Sequence, residues 1–162
     1  MAQESEIAEV IVAALKGGHK VLTFGNGGSA TQAQHMALEL VGRCVRDRDP
    51  LAAICLSSDA GLLTALANDY GFKYVFSRQV YALGQEGDVA IGLSTSGSSE
   101  NVVEALLVAQ ALGLHTVGLT GEHSGALKGS VDLWLSALGT STPRVQEEHL
   151  RAIHHICELV EE

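Results

Sequence analysis

Basic charge is scarce in this 162-residue chain: ten Lys and Arg face nineteen Asp and Glu, for a formal charge of −9, and no run of five or more basic residues occurs. Nucleic-acid backbones are held by clustered cations, so the composition argues against a nucleic-acid partner. No apolar stretch approaches the roughly 18 residues that span a bilayer, and the acidic start MAQESEIAEV lacks the basic opening of a signal peptide. No membrane role is expected, and the cytoplasm is the expected compartment. The cysteines Cys44, Cys55 and Cys157 are odd in number and form no C-x-x-C pair, which reads as reduced core thiols. Internal repeats, linkers and low-complexity segments are also missing. With 46% hydrophobic and 18% charged residues, the chain suits a single domain over 1–162 with a sizeable core, opened by a short helix at about 4–17.

Five short apolar runs, at 20–24, 51–56, 88–93, 115–119 and 131–137, carry the β signal. Most are continuous rather than alternating, the pattern of strands covered on both faces of a parallel sheet. Helical periodicity fills the gaps. Ile7, Val10, Ile11 and Leu15 mark a first helix closed by Gly17 and Gly18, and Ser29 opens a second that runs past His35 and Leu38 toward Gly42. Further helices are expected at 59–68, 74–83 and 100–112, and a last one from Pro143 to the C-terminus. The alternation predicts an α/β fold: a doubly wound, five-stranded parallel sheet flanked by helices, with flavodoxin-like layering.

Two strands end in clusters of small polar residues, GNGGSA at 25–30 and STSGSSEN at 94–101. Each precedes a helix, so each exposes backbone N–H groups where the helix dipole favours an anion. The first is no dinucleotide fingerprint, since Ala30 stands at the third glycine position, and no Walker lysine follows. The second sets five hydroxyls, on Ser94, Thr95, Ser96, Ser98 and Ser99, around Gly97, with Ser99 a natural N-cap. Lacking a cation, the pair suits a sugar phosphate held at modest affinity. The plain alternative is a pair of tight turns that cap their own helices.

His35 and Glu39, at i and i+4, project from one face of the second helix and could ligate a divalent metal or pair a carboxylate base with an imidazole. A surface ion pair is the simpler reading of the two alone. The last helix adds Gln146, His149, His154 and His155, of which His149 and His155 are expected to face solvent. Gln146 and His154 stand about 12 Å of rise and roughly 80° of rotation apart on a regular helix, so they share one small site only through long side chains, a helix irregularity or different subunits. Asn68 and Asp69 close a helix in a polar loop, which helix-stop chemistry explains as well as function does. Arg43 is read as a cap of the second helix or a local ion-pair partner.

The stretches GNGGSATQAQHMALELVGR (25–43), ANDYGF (67–72), GDVAIGLSTSGSSENV (87–102), LTGE (119–122) and RVQEEHLRAIH (144–154) together resemble the sugar isomerase (SIS) family, specifically its phosphoheptose isomerases, from about Lys20 to Glu158. The resemblance implies conversion of D-sedoheptulose 7-phosphate to D-glycero-D-manno-heptose 7-phosphate through a cis-enediol. It further implies that Asn26, Gly27, Gly28, Ser29, Asn68 and Asp69 contact the sugar and that Ser94, Thr95, Ser96 and Ser99 hold the phosphate. His35, Glu39, Gln146 and His154 match the zinc ligands, with Glu39 and Gln146 also in contact with substrate. Glu39 and His154 match the base and acid, an order that can reverse. The family builds its sites at subunit contacts of a homotetramer, so a homotetramer is the implied assembly.

Two positions depart from the family pattern. Only 24 residues precede the first loop, where relatives carry a longer helical segment, and Pro143 stands where some have Asp, three residues before the Gln. A non-catalytic SIS-fold adaptor that binds the replication initiator is the main rival; those proteins lack the Glu and the terminal-helix His, which Glu39 and His154 supply here. A sugar-phosphate sensor is the other, normally joined to a DNA-binding segment.

Overall fold

In the computed structural model, which describes residues 2–162, five parallel strands form one sheet in the order β2-β1-β3-β4-β5. They are β1 (Val21–Gly25), β2 (Ala53–Cys55), β3 (Val89–Ser94), β4 (His115–Gly121) and β5 (Leu133–Ala137). The helices between them are α1 (Ala2–Lys16), α2 (Gly28–Val41), α3 (Ala60–Tyr70), α4 (Ser77–Leu83), α5 (Glu100–Ala111) and α6 (Thr142–Val160). This is the doubly wound parallel sheet that the alternation of runs predicts.

Side chains alternate between the two faces of a strand, so each central apolar run feeds two cores. Val21 of β1 and Val89, Ile91 and Leu93 of β3 pack with Ile7 and Ile11 of α1, Met36 and Leu40 of α2, and Ile153 and Ile156 of α6. Leu22 and Phe24 of β1 and Ala90 of β3 turn the other way, to Val80 of α4 and Val102 and Leu106 of α5. Phe24 also stacks on Phe76, centroids 5.5 Å apart. Each fully buried Leu, Ile or Phe among these contributes about 1.5–3 kcal/mol.

The ends of the sheet depart from expectation for physical reasons. The run at 51–56 forms a strand only over Ala53–Cys55, because β2 is an edge strand with β1 as its one partner and none of its residues is fully buried. The run at 131–137 joins the ladder only at Leu133, since Asp132 turns its carboxylate back onto the N–H and hydroxyl of Thr116, both at 2.8 Å. The helix expected at 74–83 starts at Ser77, after a 3-10 turn at Phe72–Tyr74. α3 is rich in Leu and Ala, yet none of its residues is buried.

β1 and β3 lie side by side, with Gly25 in register with Leu93, while their connections lead to opposite edges of the sheet. That point of reversal, beyond the carboxyl ends of the strands, is where open α/β sheets bind ligands. Both Gly/Ser loops flank it.

Candidate active site

The first loop turns through Gly27, whose φ of +56° suits glycine, and starts α2 without a side-chain cap. The second loop is organised by its own hydroxyls: Ser94 Oγ lies 2.9 Å from Ser99 Oγ and 3.4 Å from Ser96 Oγ, and Ser98 N–H donates to Ser96 Oγ at 3.2 Å. Ser99 occupies the N-cap of α5 as expected, but its hydroxyl pairs with Ser94 and makes no cap bond to the helix. Two loops pack back to back here, since a Cβ on Gly97 would lie 2.1 Å from Ser124 O. An open cavity of about 550 Å³ adjoins the hydroxyls, lined by Thr95, Ser96, Glu122, His123, Ser141 and Thr142.

Further along α2, three of the four residues matched to zinc ligands meet within one chain. His35 Nε2 lies 3.0 Å from Glu39 Oε1 and 2.9 Å from His154 Nε2, the two imidazoles meeting edge to face. Their ligand atoms all fall within 4.8 Å of one another. A single ring nitrogen carries at most one proton, so His35 Nε2 cannot donate to both neighbours at once. Two imidazole nitrogens and a carboxylate oxygen converging this way fit the donor set of a divalent zinc ion. The fourth, Gln146, lies against the start of α2: a Cβ on Gly28 would be 2.3 Å from Gln146 Nε2. Packing of α6 along α2 thus spreads Gln146 and His154 over two turns of the same seam. Gln32, between them on α2, donates from Nε2 to the Gln146 carbonyl.

A belt of contacts at the far end holds this pair of helices. Arg48, not Arg43, caps α2, donating to the carbonyls of Glu39 at 2.8 Å and Leu40 at 2.9 Å, while Arg43 is exposed. Arg48 also pairs with Glu161 at 3.1 Å, and Glu161 accepts the N–H groups of Cys44, Val45 and Arg46 at 2.8–2.9 Å. Burial opposes ionisation of Glu161, but these donors and the Arg48 charge prevail and lower its pKa to about 2. Burial and the neighbouring carboxylates of Glu39, Glu161 and Glu158 push the Cys44 thiol up to about 11. Its sulfur lies 3.9 Å from the His154 carbonyl oxygen, a packing role rather than a nucleophilic one.

The two histidines expected in solvent are both engaged. His149 is fully buried with Nε2 3.0 Å from the Thr120 carbonyl, and burial lowers its pKa against the pull of that bond. His155 is half-buried and lies 3.1 Å from Glu4 of α1. Asn68 and Asp69 sit exposed at the end of α3 and bond to each other at 2.9 Å, with no side-chain bond to either loop among the described residues. Residue-by-residue reading missed Asn101, whose side chain pairs with Asn26, and Gln32 and Arg48, which brace the helices. Asn101 stood within the SSEN run, at the first turn of α5, where a buried amide is a signal in itself.

A family model for the SIS domain matches residues 3–121. The phosphoheptose isomerase of Geobacter metallireducens is 55% identical over 154 residues, which cover 95% of this chain and 82% of that protein. That of Aquifex aeolicus is 51% identical over 157 residues, 97% of this chain and 82% of the relative. The solved phosphoheptose isomerase of Neisseria gonorrhoeae superposes with a TM-score of 0.93 at 41% identity, covering 99% of this chain and 86% of that one. The Vibrio vulnificus NanR protein, solved in complex with ManNAc-6P, shares the fold alone: its TM-score is 0.66 at 21% identity, over 99% of this chain and 52% of that one.

Proposed function

We propose, since the chain belongs to the SIS-domain family and within it to the phosphoheptose isomerases, that it converts D-sedoheptulose 7-phosphate into D-glycero-D-manno-heptose 7-phosphate. It is a sugar-phosphate isomerase, and neither the adaptor nor the sensor reading is favoured. The observation that carries the mechanism is the convergence of His35, Glu39 and His154 on the helix that the first Gly/Ser loop opens.

The hydroxyls of Ser94, Thr95, Ser96 and Ser99, with N–H groups at the start of α5, receive the phosphate, and Asn26 to Ser29 line the sugar. Glu39 removes a proton from C1 of the ketose, and His154 gives one to the carbonyl oxygen on C2, which yields the cis-enediol. The C1 hydroxyl then gives its proton to His154, which restores the acid, as the new carbonyl forms, and the proton held on Glu39 returns to C2. C1–H breaks, C2–H forms, and no electron leaves the substrate. Glu39 presents Oε1 to His35 at 3.0 Å, and the Cys44 thiol hydrogen-bonds to the same carboxylate. His35, Glu39, His154 and Gln146 would hold zinc, which supplies Lewis-acid polarisation of substrate oxygens when bound. A Gln ligand makes for loose, exchangeable metal.

Assembly into a homotetramer with shared sites belongs to the same reading. α3 buries none of its residues, and Leu62, Tyr70, Phe72, Tyr74 and Tyr81 near it are exposed, a patch that a monomer rarely presents to water. A second copy seated there would bring Asn68 and Asp69 to a neighbouring site. The cytoplasm is the proposed compartment; no described helix is long and apolar enough to cross a membrane.

The test is an isomerase assay on sedoheptulose 7-phosphate with the aldose followed by NMR, on wild type, Glu39→Gln and His154→Ala, with and without zinc. Wild-type turnover that falls by at least about 100-fold in both folded variants is expected. Saturable binding without turnover, whatever the metal, overturns the assignment.

A further inference from the structure

The two loops at the switch point are tied by one pair of side chains. Asn26 Nδ2 donates to Asn101 Oδ1 at 2.8 Å, and Asn101 Nδ2 donates back to Asn26 Oδ1 at 2.9 Å. Asn101 is only 3% exposed and sits on the face of α5 that buries Val102 and Ala105. An amide in such a place costs free energy unless both of its ends are satisfied, and here each end finds the matching end of Asn26. The β1–β3 ladder stops at Gly25 and Leu93, so beyond it the loops diverge and this closed pair spans the gap. On one side lies the turn that starts α2, the carrier of His35 and Glu39; on the other lies the serine loop.

We propose that Asn101 is a positioning residue: through Asn26 it fixes the separation between the serine loop and the start of α2, so that a ligand anchored by its phosphate presents its far carbons to Glu39 and His154. The proposal rests on the isomerase reading above. It separates two ligands. Inorganic phosphate occupies the serine loop alone and is indifferent to that separation, whereas a sugar phosphate spans both loops and is not.

The experiment measures dissociation constants for inorganic phosphate and sedoheptulose 7-phosphate, with kcat/KM, on wild type, Asn101→Ala, Asn26→Ala and the double variant, each checked for folding by circular dichroism. Asn101→Ala should weaken the sugar phosphate by about tenfold, the scale of one lost buried bond pair, lower kcat/KM by more than that, and change inorganic phosphate by less than about twofold. In the Asn26→Ala background the same substitution should do almost nothing, because the partner is already gone. Should Asn101→Ala fail to fold, the near-isosteric Asn101→Leu decides: it removes the tie without leaving a cavity or adding a charge, so the ratio of the two affinities still reads the loop separation. A ratio unchanged from wild type in a folded variant, or a full effect in the Asn26→Ala background, overturns the proposal. A wild type that binds the sugar phosphate no better than phosphate overturns the isomerase reading and the proposal with it.

Discussion

Gly97→Ala should damage the serine loop far more than its exposed neighbourhood suggests, and Gly18→Ala shows how much of that is steric. Gly97 has φ +66° and Gly18 has φ +82°, so either alanine is forced into the left-handed region, at about 1 kcal/mol. Around Gly18 nothing lies within 4 Å of an added methyl, and the cost ends there. At Gly97 the methyl would stand 2.1 Å from Ser124 O and 2.3 Å from its carbonyl carbon, both backbone atoms that cannot rotate away. The two loops must part by roughly an ångström or more to reach ordinary van der Waals contact. That movement breaks the 3.0 Å bond from Leu127 N–H to Gly97 O, worth about 1 kcal/mol, and drags on Leu127, which is fully buried in the second core. With the lost packing at Leu127 the total is about 3–4 kcal/mol. For a chain of this length each kcal/mol moves Tm by about 2–4 °C, so thermal melts at one protein concentration should fall by roughly 10 °C for Gly97→Ala and roughly 3 °C for Gly18→Ala. Affinity for inorganic phosphate should fall only in the former. Equal melting points for the two variants would refute the back-to-back packing of the loops.

At Gly28 the obstacle is the end of a flexible side chain, so Gly28→Ala should leave the melting point nearly unchanged yet push Gln146 aside and lower kcat/KM; unchanged activity removes Gln146 from the site. The buried His149 has a pKa below its unfolded value, so the unfolded chain binds the extra proton first. Its contribution to stability is full above about pH 6.5 and is lost as pH falls from there; urea midpoints should show that slope, and His149→Gln, which keeps a donor for Thr120, should flatten it. Glu161 acts lower on the scale, its contribution full above about pH 4.5 and lost toward its folded pKa of about 2. Glu161→Gln should therefore cost about 1–2 kcal/mol at pH 7 and remove the acid limb, and a midpoint indistinguishable from wild type at pH 7 would refute it.

How much of this was readable from sequence depends on the range of the interaction involved. The central strands were readable because burial on both faces leaves a continuous apolar run, as in VAIGLS of β3, whereas β2 and β5 were overextended because a strand's length at a sheet edge depends on a partner that the run does not encode. The i, i+4 spacing of His35 and Glu39 was local and visible. Their meeting with His154, 119 residues away from His35, was not, since it depends on how α6 lies along α2. Only the family resemblance put those three together. His149 was misread, although the signal was present: it falls in the stripe Val145, His149, Ala152, Ile156 that α6 turns to the core, and clustering with His154 and His155 obscured that position.

α2 shows why the chemistry and the packing are difficult to separate in this fold. Its first residues form the sugar loop, its middle carries His35 and Glu39, and its last carbonyls are held by Arg48 and, through it, by Glu161 beyond the end of α6. A helix fixed at both ends transmits an axial shift at either end to the carboxylate between them. Asn101 sets one end through Asn26, and Glu161 sets the other through Arg48 and the N–H groups of residues 44–46. Substitutions at these two positions, neither of which belongs to the acid/base cluster, should therefore converge on the same symptom. Turnover of the sugar phosphate should fall more than its binding, because a transition state depends on the position of Glu39 more steeply than a bound ground state does.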